Sequence, residues 1–313
     1  MGRDDPREWS AVARIKKSEV MSDSISLLIA GHKFRVVGDK ESALLRTMPG
    51  FPVFESEYDD PEWQVVFGRS IAKPAHWDVL YDFVFEADIM TCTFAKTKDT
   101  YYFAMEPYDK DMPPLLMRYV FGEKVIDATV CIDPDMLRFA LWMAYGLLAS
   151  SSKVTLIHSS TIVHQGRAVL FLGESGTGKS THTRLWLKSI PDAHLLNDDS
   201  PALAVESGEA VVYGTPWSGK THCYHQLRFP LAGVVRLSQA PYNSIKRLSV
   251  IEAFSAIHPS CPPALAQDER YQDLIVDMLS NVISGVPMFH LECLPDEDAA
   301  WTSHDAIFKG QHQ

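Results

Sequence analysis

The stretch Ala168-Val169-Leu170-Phe171-Leu172-Gly173-Glu174-Ser175-Gly176-Thr177-Gly178-Lys179-Ser180 decides the reading of this 313-residue chain. Its five apolar residues predict a strand buried on both faces. The next eight fill every fixed position of G-x-x-x-x-G-K-[ST], and Lys179–Lys188 continues as a helix. Strand, glycine-rich loop and helix in that order make a phosphate cradle. Gly173, Gly176 and Gly178 permit backbone angles that turn amide hydrogens inward, and the helix start adds positive potential. Lys179 supplies a charge for β- and γ-phosphates, and Ser180 offers a hydroxyl to magnesium. With glycine near 7% of residues, the pattern arises by accident in roughly one chain in a hundred of this length. The flanking strand and helix argue against accident. Gly173, Glu174, Ser175, Gly176, Thr177, Gly178, Lys179, Ser180 and Thr181 are therefore the expected nucleotide contacts.

Such a loop needs an acidic partner for the metal. Asn197-Asp198-Asp199 follows the apolar pair Leu195-Leu196, at the end of a predicted strand. Two adjacent carboxylates allow one to hold the metal while the other accepts a proton from an attacking hydroxyl. The alternative is a solvated turn, for which Asn-Asp-Asp-Ser-Pro is suitable chemistry. Further on, Tyr213-Gly-Thr-Pro-Trp-Ser-Gly-Lys220 is a Gly/Pro-rich loop carrying Trp217. It is expected to close over the nucleotide, with Lys220 stabilising charge on the transferring group and Arg228 as a further candidate cation. His222 and His225 have no third ligand near in sequence and read as scattered histidines rather than a zinc site.

Composition bounds the rest. At 46% hydrophobic and 22% charged the chain is globular, and its length suggests about two domains. A net charge of −11 argues against a nucleic-acid binder with a broad basic face. The five cysteines lie far apart without a CxxC pair, so free buried thiols are expected. The N-terminus lacks the apolar core of a signal peptide. The longest apolar run, Leu137–Ala149, carries Arg138 and falls short of the ~20 residues that span a bilayer. A cytoplasmic protein with neither a membrane nor a nucleic-acid partner is the expectation. The fold class is α+β. Residues 1–24 read as a flexible arm. Residues 25–152 read as a β-rich domain ending in the helix Met136–Ala149, which starts at Asp133-Pro134-Asp135. Residues 153–313 read as a P-loop kinase-like domain with a mixed sheet around the phosphate loop.

His158 stands fifteen residues before Gly173. Together with Gly173–Ser180 and Asp198-Asp199, it resembles the catalytic domain of HPr serine kinases. Members of that family carry a histidine at the same distance before the loop and an aspartate pair after it. The wider group is similar to ATP-dependent phosphoenolpyruvate carboxykinases, which share S-G-T-G-K and a double aspartate. The likeness covers about residues 153–313. It implies ATP and Mg2+, with transfer of a phosphoryl group to a serine-type hydroxyl on a small molecule, peptide or protein. It implies Ser180 and Asp199 on the metal, with base and metal roles shared between Asp198 and Asp199, and His158 against the transferred phosphate. A homo-oligomer stays open. Three departures stand out: Thr181 where HPr kinases have an acidic residue, Asn197 in place of a small apolar one, and an N-terminal half unlike their regulatory domain. HPr itself is therefore not the expected acceptor. Two other readings compete: a nucleotide-binding sensor or assembly module without transfer, and a carboxykinase-like lyase, which this short chain fits poorly.

Overall fold

The computed structural model describes residues 23–85, 89–219 and 221–309. It is an α+β structure with two mixed sheets, of eight and nine strands. The first opens with β1 (Ser24–Ile29) and β2 (His32–Val37), an antiparallel hairpin. Ile25, Leu27 and Ile29 alternate into the core, as a half-buried strand requires. Ala30 and Gly31 join the two strands, both at positive φ (46° and 81°), the backbone that a tight two-residue hairpin needs. Helix α1 (Asp39–Thr47) follows, then β3 (Trp63–Val66), β4 (Asp78–Phe85), β5 (Met90–Thr97), β6 (Thr100–Pro107), β7 (Leu115–Val120) and β8 (Val125–Ala128). The spatial order is β1-β2-β3-β8-β7-β6-β5-β4, with β3 parallel to both neighbours.

Sequence patterning places no element at α1, β7 or β8. Nine residues make a helix too short to stand alone, and α1 persists because Leu45 is buried beneath it. The expected arm over residues 1–24 lies outside the described residues as far as residue 22. Ser24 already pairs with Val37.

Helix α2 (Pro134–Ala149) joins the two sheets. Asp133 caps it, accepting from the backbone N–H groups of Asp135 and Met136, and Pro134 fills the first turn. Tyr145 donates to the carbonyl of Ile29, and its ring meets Phe34 and Trp63 on one side and Trp217 on the other. The buried core runs unbroken from the first sheet through α2 into the second.

The second sheet contains β9 (Val154–Leu156), β10 (Ser160–His164) and β11 (Arg167–Leu172), then α3 (Lys179–Ser189) and β12 (His194–Asn197). After these come β13 (Ala202–Glu206), β14 (Glu209–Tyr213), β15 (Arg228–Gln239), β16 (Ser244–Arg247), α4 (Val250–Ile257), α5 (Glu269–Gly285), β17 (Met288–Cys293) and α6 (Glu297–Phe308). Strand direction decides where the site falls. β11 runs parallel to β15, and β15 parallel to β17. β10 is antiparallel to both β11 and β12. The ends of β11, β12, β15 and β17 therefore share one edge with the beginning of β10. In open sheets of this kind ligands bind at the carboxyl edge. His158, the glycine loop and the aspartate pair all lie there.

All five cysteines are free thiols; burial pushes those of Cys92, Cys131 and Cys261 up to about 12. Among the described residues, no helix is long and apolar enough to cross a membrane.

Candidate active site

The glycine loop is held by its own backbone. Gly173, Gly176 and Gly178 all take positive φ, at 154°, 82° and 104°. A Cβ on Gly173 would run into Thr177 Oγ1, so a side chain there would displace Thr177 as well as strain φ. Thr177 Oγ1 donates to the carbonyl of Glu174 at 2.9 Å. Lys179 folds back over the loop, its Nζ donating to the carbonyls of Gly173 (2.7 Å) and Glu174 (3.2 Å). Burial lowers the Lys179 pKa, and the negative charge of Asp199 opposes that shift. Helix α3 starts at Gly178 with no side-chain cap. Its first N–H groups are therefore not taken up by a capping side chain, as an anion site requires. Ser180 is exposed in the first turn, with Thr181 half-buried beside it.

The two aspartates face different ways. Asp198 is 9% exposed, and both its oxygens are engaged by the following loop. Oδ1 accepts from Ser218 Oγ (2.6 Å) and the Gly219 N–H (2.7 Å), and Oδ2 accepts from the Thr221 N–H (2.9 Å). Asp199 instead opens to a cleft. Its Oδ1 lies 3.4 Å from His158 Nδ1, and its Oδ2 accepts from Ser200 Oγ at 2.9 Å. Burial raises the Asp199 pKa, but the His158 and Ser200 hydrogen bonds and the charges of His158 and Lys179 outweigh it, and the net shift is downward. An acid with a lowered pKa is ionised at neutral pH and can accept a proton or hold a cation.

Local chemistry explains this split. Buried Asn197 accepts the backbone N–H groups of Asp199 and Ser200, both at 2.9 Å, closing an Asx turn. Its amide nitrogen donates to Thr215 Oγ1 (3.3 Å) and to the Trp217 carbonyl (3.0 Å). Backbone bonds from Ile157 to Pro201 and from Ser159 to Asp199 zip the β10 approach against the acidic turn and set His158 beside it. Sequence reading registers Asn197 only as a departure from a family pattern; here it positions both carboxylates.

Two clefts open at this edge of the sheet. One, of about 510 Å³, is lined by Gly176, Thr177, Gly178 and Thr181, with Leu185, Leu237 and Cys293 among its apolar walls. The other, of about 570 Å³, is lined by His158, Asp199 and Ser200, and by Arg138, Phe139 and Trp142 of α2. Sequence reasoning assigned no α2 residue to a site, because the helix reads as wholly buried. It also missed Arg236, which pairs in register with Leu172 at the base of the loop and lies 3.6 Å from Glu174 Oε1.

Two expectations need correction. Arg228 sits at the start of β15, the opposite end of the sheet from the loop, where it pairs with Glu206 at 2.7 Å. Trp217 is not a lid: it is 3% exposed, packs on Phe51 and Tyr145, and donates its indole N–H to the Arg138 carbonyl. Lys220 lies outside the described residues.

No family model matches the sequence, and no curated protein does. Among solved structures, the chain is similar to the Hpr(Ser) kinase/phosphatase from Coxiella burnetii at 10% identity, over 50% of this chain and 95% of that one, with a TM-score of 0.28. At that score the likeness carries no argument about activity.

Proposed function

We propose that this protein is an ATP-dependent phosphotransferase acting on a serine-type hydroxyl. The observation that carries the reading is that two clefts open at one edge of the sheet, one at the glycine loop and the uncapped start of α3, the other lined by ionised Asp199, whose charge reaches Lys179. A plain nucleotide-binding module has no need of a carboxylate facing a second cleft.

In this reading Gly173–Thr181 hold the nucleotide phosphates, and Lys179 exchanges its loop carbonyls for phosphate oxygens. Ser180 and Asp199 are suited to hold Mg2+, which when bound neutralises charge developing on the phosphates. Asp199, hydrogen-bonded through its second oxygen to Ser200, also takes the proton of the acceptor hydroxyl as the oxygen–phosphorus bond forms. His158 holds the carboxylate ionised and in place. Asp198 has the different task of anchoring Ser218, Gly219 and Thr221. The acceptor class remains as broad as a small molecule, peptide or protein bearing a serine-type hydroxyl.

The test is incubation with Mg2+ and γ-labelled ATP together with free serine, serine peptides and total protein of the source cell. Label on an acceptor hydroxyl supports the reading. Label released only as inorganic phosphate, or nucleotide bound without turnover, points to the sensor alternative.

A further inference from the structure

The cleft at Asp199 is walled on its far side by α2, which belongs to the first half of the chain. Asp135, Arg138, Phe139 and Trp142 follow i, i+3, i+4, i+7 spacing and so share one helical face, and all four line that cleft. Most of the remaining helix is buried, whereas Phe139 and Trp142 are only half-buried. The rings are set rigidly. Phe139 stacks on Trp142 with centroids 5.4 Å apart and planes 11° from parallel, and meets Phe85 at 4.7 Å with planes tilted by 39°. Phe83 and Phe103 support Phe139 edge-on. Pro262 and Pro263 line the same cleft. Arg138 is fixed on the same face by hydrogen bonds to the carbonyls of Pro49 and Pro216, and lies over the Phe51 ring.

We propose that this cleft selects an acceptor bearing an aromatic or bulky apolar group beside its hydroxyl, with Phe139 and Trp142 as the selecting residues. The proposal rests on the phosphotransferase reading above. Volume is the first argument. At about 570 Å³ the cleft matches a drug-sized ligand, and free serine would leave most of it to water. The second argument is chemical. Water beside Asp199 competes with the acceptor for the phosphoryl group, so an apolar occupant that displaces it favours transfer over hydrolysis. Third, a wall already stacked needs little ordering when a ring or aliphatic chain settles on it. The reaction balances without another reagent: the acceptor O–H proton goes to Asp199, its oxygen bonds to the γ-phosphorus, and the β–γ bridging bond breaks to release ADP.

The experiment compares free serine with acetylated Gly-Xaa-Ser-Gly amides in which Xaa is Phe, Leu or Gly, with kcat and KM measured separately using labelled ATP and Mg2+. The Phe and Leu peptides should exceed the Gly peptide and free serine at least tenfold in kcat/KM. Trp142→Ala should raise KM for the Phe peptide about tenfold, leaving its kcat and the KM of the Gly peptide almost unchanged. Equal use of all four probes would overturn the proposal while leaving the phosphotransferase reading intact, and this arm needs no variant. An equal loss toward every acceptor in Trp142→Ala would likewise overturn it. Absence of transfer to any probe would count against both.

Discussion

The two clefts at the carboxyl edge of the second sheet are built by opposite routes. On the loop side the polar residues come from one continuous segment, Gly176 to His182, completed by the ends of β15 and β17. Short-range bonds such as Lys179 to Gly173 and Thr177 to Glu174 hold it. The Asp199 side is assembled from segments near residues 85, 135–142, 158, 199, 217–219 and 260–263, drawn from both sheets. Hydrogen bonds between segments distant in sequence tie 158, 199, 217–219 and 260 to one another, but none of them reaches residue 85 or α2's cleft face at Phe139 and Trp142. The α2 wall joins the others because α2 and Trp217 share a core that crosses from one sheet to the other. A site made from one segment tolerates change elsewhere in the molecule; a site made from six depends on the packing of the whole.

The largest effect expected is at Asp199. Asp199→Asn removes the proposed base and leaves the loop untouched, so single-turnover transfer should fall about 10³-fold, within the range for general-base loss. Nucleotide affinity without metal should stay close to that of the parent protein. If Asp198→Asn lost the activity and Asp199→Asn kept it, the assignment of roles drawn from their orientations would be reversed. Next in size, Trp217→Ala should cost about 3–5 kcal/mol in a urea unfolding titration, as expected for truncating a large buried aromatic. At temperatures where the variant remains folded, acceptor KM should suffer more than nucleotide affinity. Equal damage to both would break the contrast between the two sides.

The same contrast explains what the sequence could tell. Gly173–Ser180 is legible because each residue has a backbone or charge requirement that its neighbours in the chain satisfy. Asp198 and Asp199 are legible as a pair, but not as two roles. Their separation depends on Asn197 gripping the next turn and on the backbone N–H groups of Gly219 and Thr221 reaching back to Asp198. Arg138, Phe139 and Trp142 fit an apolar helix and give no sign of lining a cleft, since that follows from the packing of α2 between two sheets. Arg236 and Arg228 lie eight residues apart on one strand, and only the parallel pairing of β15 with β11 tells which end meets the loop.

Acid should act on the two sides in different ways. His182, 3% exposed beneath the loop, is held by burial near a pKa of about 4. Between pH 6.5 and 4 the unfolded chain takes up a proton there and the folded chain does not, so stability falls as pH is lowered through that window. The expected loss is about 3 kcal/mol, read as a shift in urea midpoint between pH 7.5 and pH 4. His182→Gln, which can still bond to Ser303, should flatten that dependence. Asp199 moves the other way. Its lowered pKa keeps it ionised through the same window, so the fall in stability should precede any loss of the carboxylate.

The smallest effect expected separates the two aspartates by stability rather than rate. Asp198 accepts three hydrogen bonds, through both oxygens, while nearly buried. An asparagine amide can keep the pair from Ser218 and Gly219 on its oxygen, but it then turns an N–H group toward the Thr221 N–H. One buried donor loses its acceptor and meets another donor, which costs about 1–3 kcal/mol. Asp198→Asn should therefore unfold at lower urea than Asp199→Asn, whose half-exposed carboxylate can be replaced with less loss. Hydrogen exchange should locate the difference at Gly219 and Thr221, the amides that Asp198 now protects. If those amides exchange no faster in Asp198→Asn, the carboxylate does not anchor the loop, and Asp198 returns to equal candidacy with Asp199 as the base.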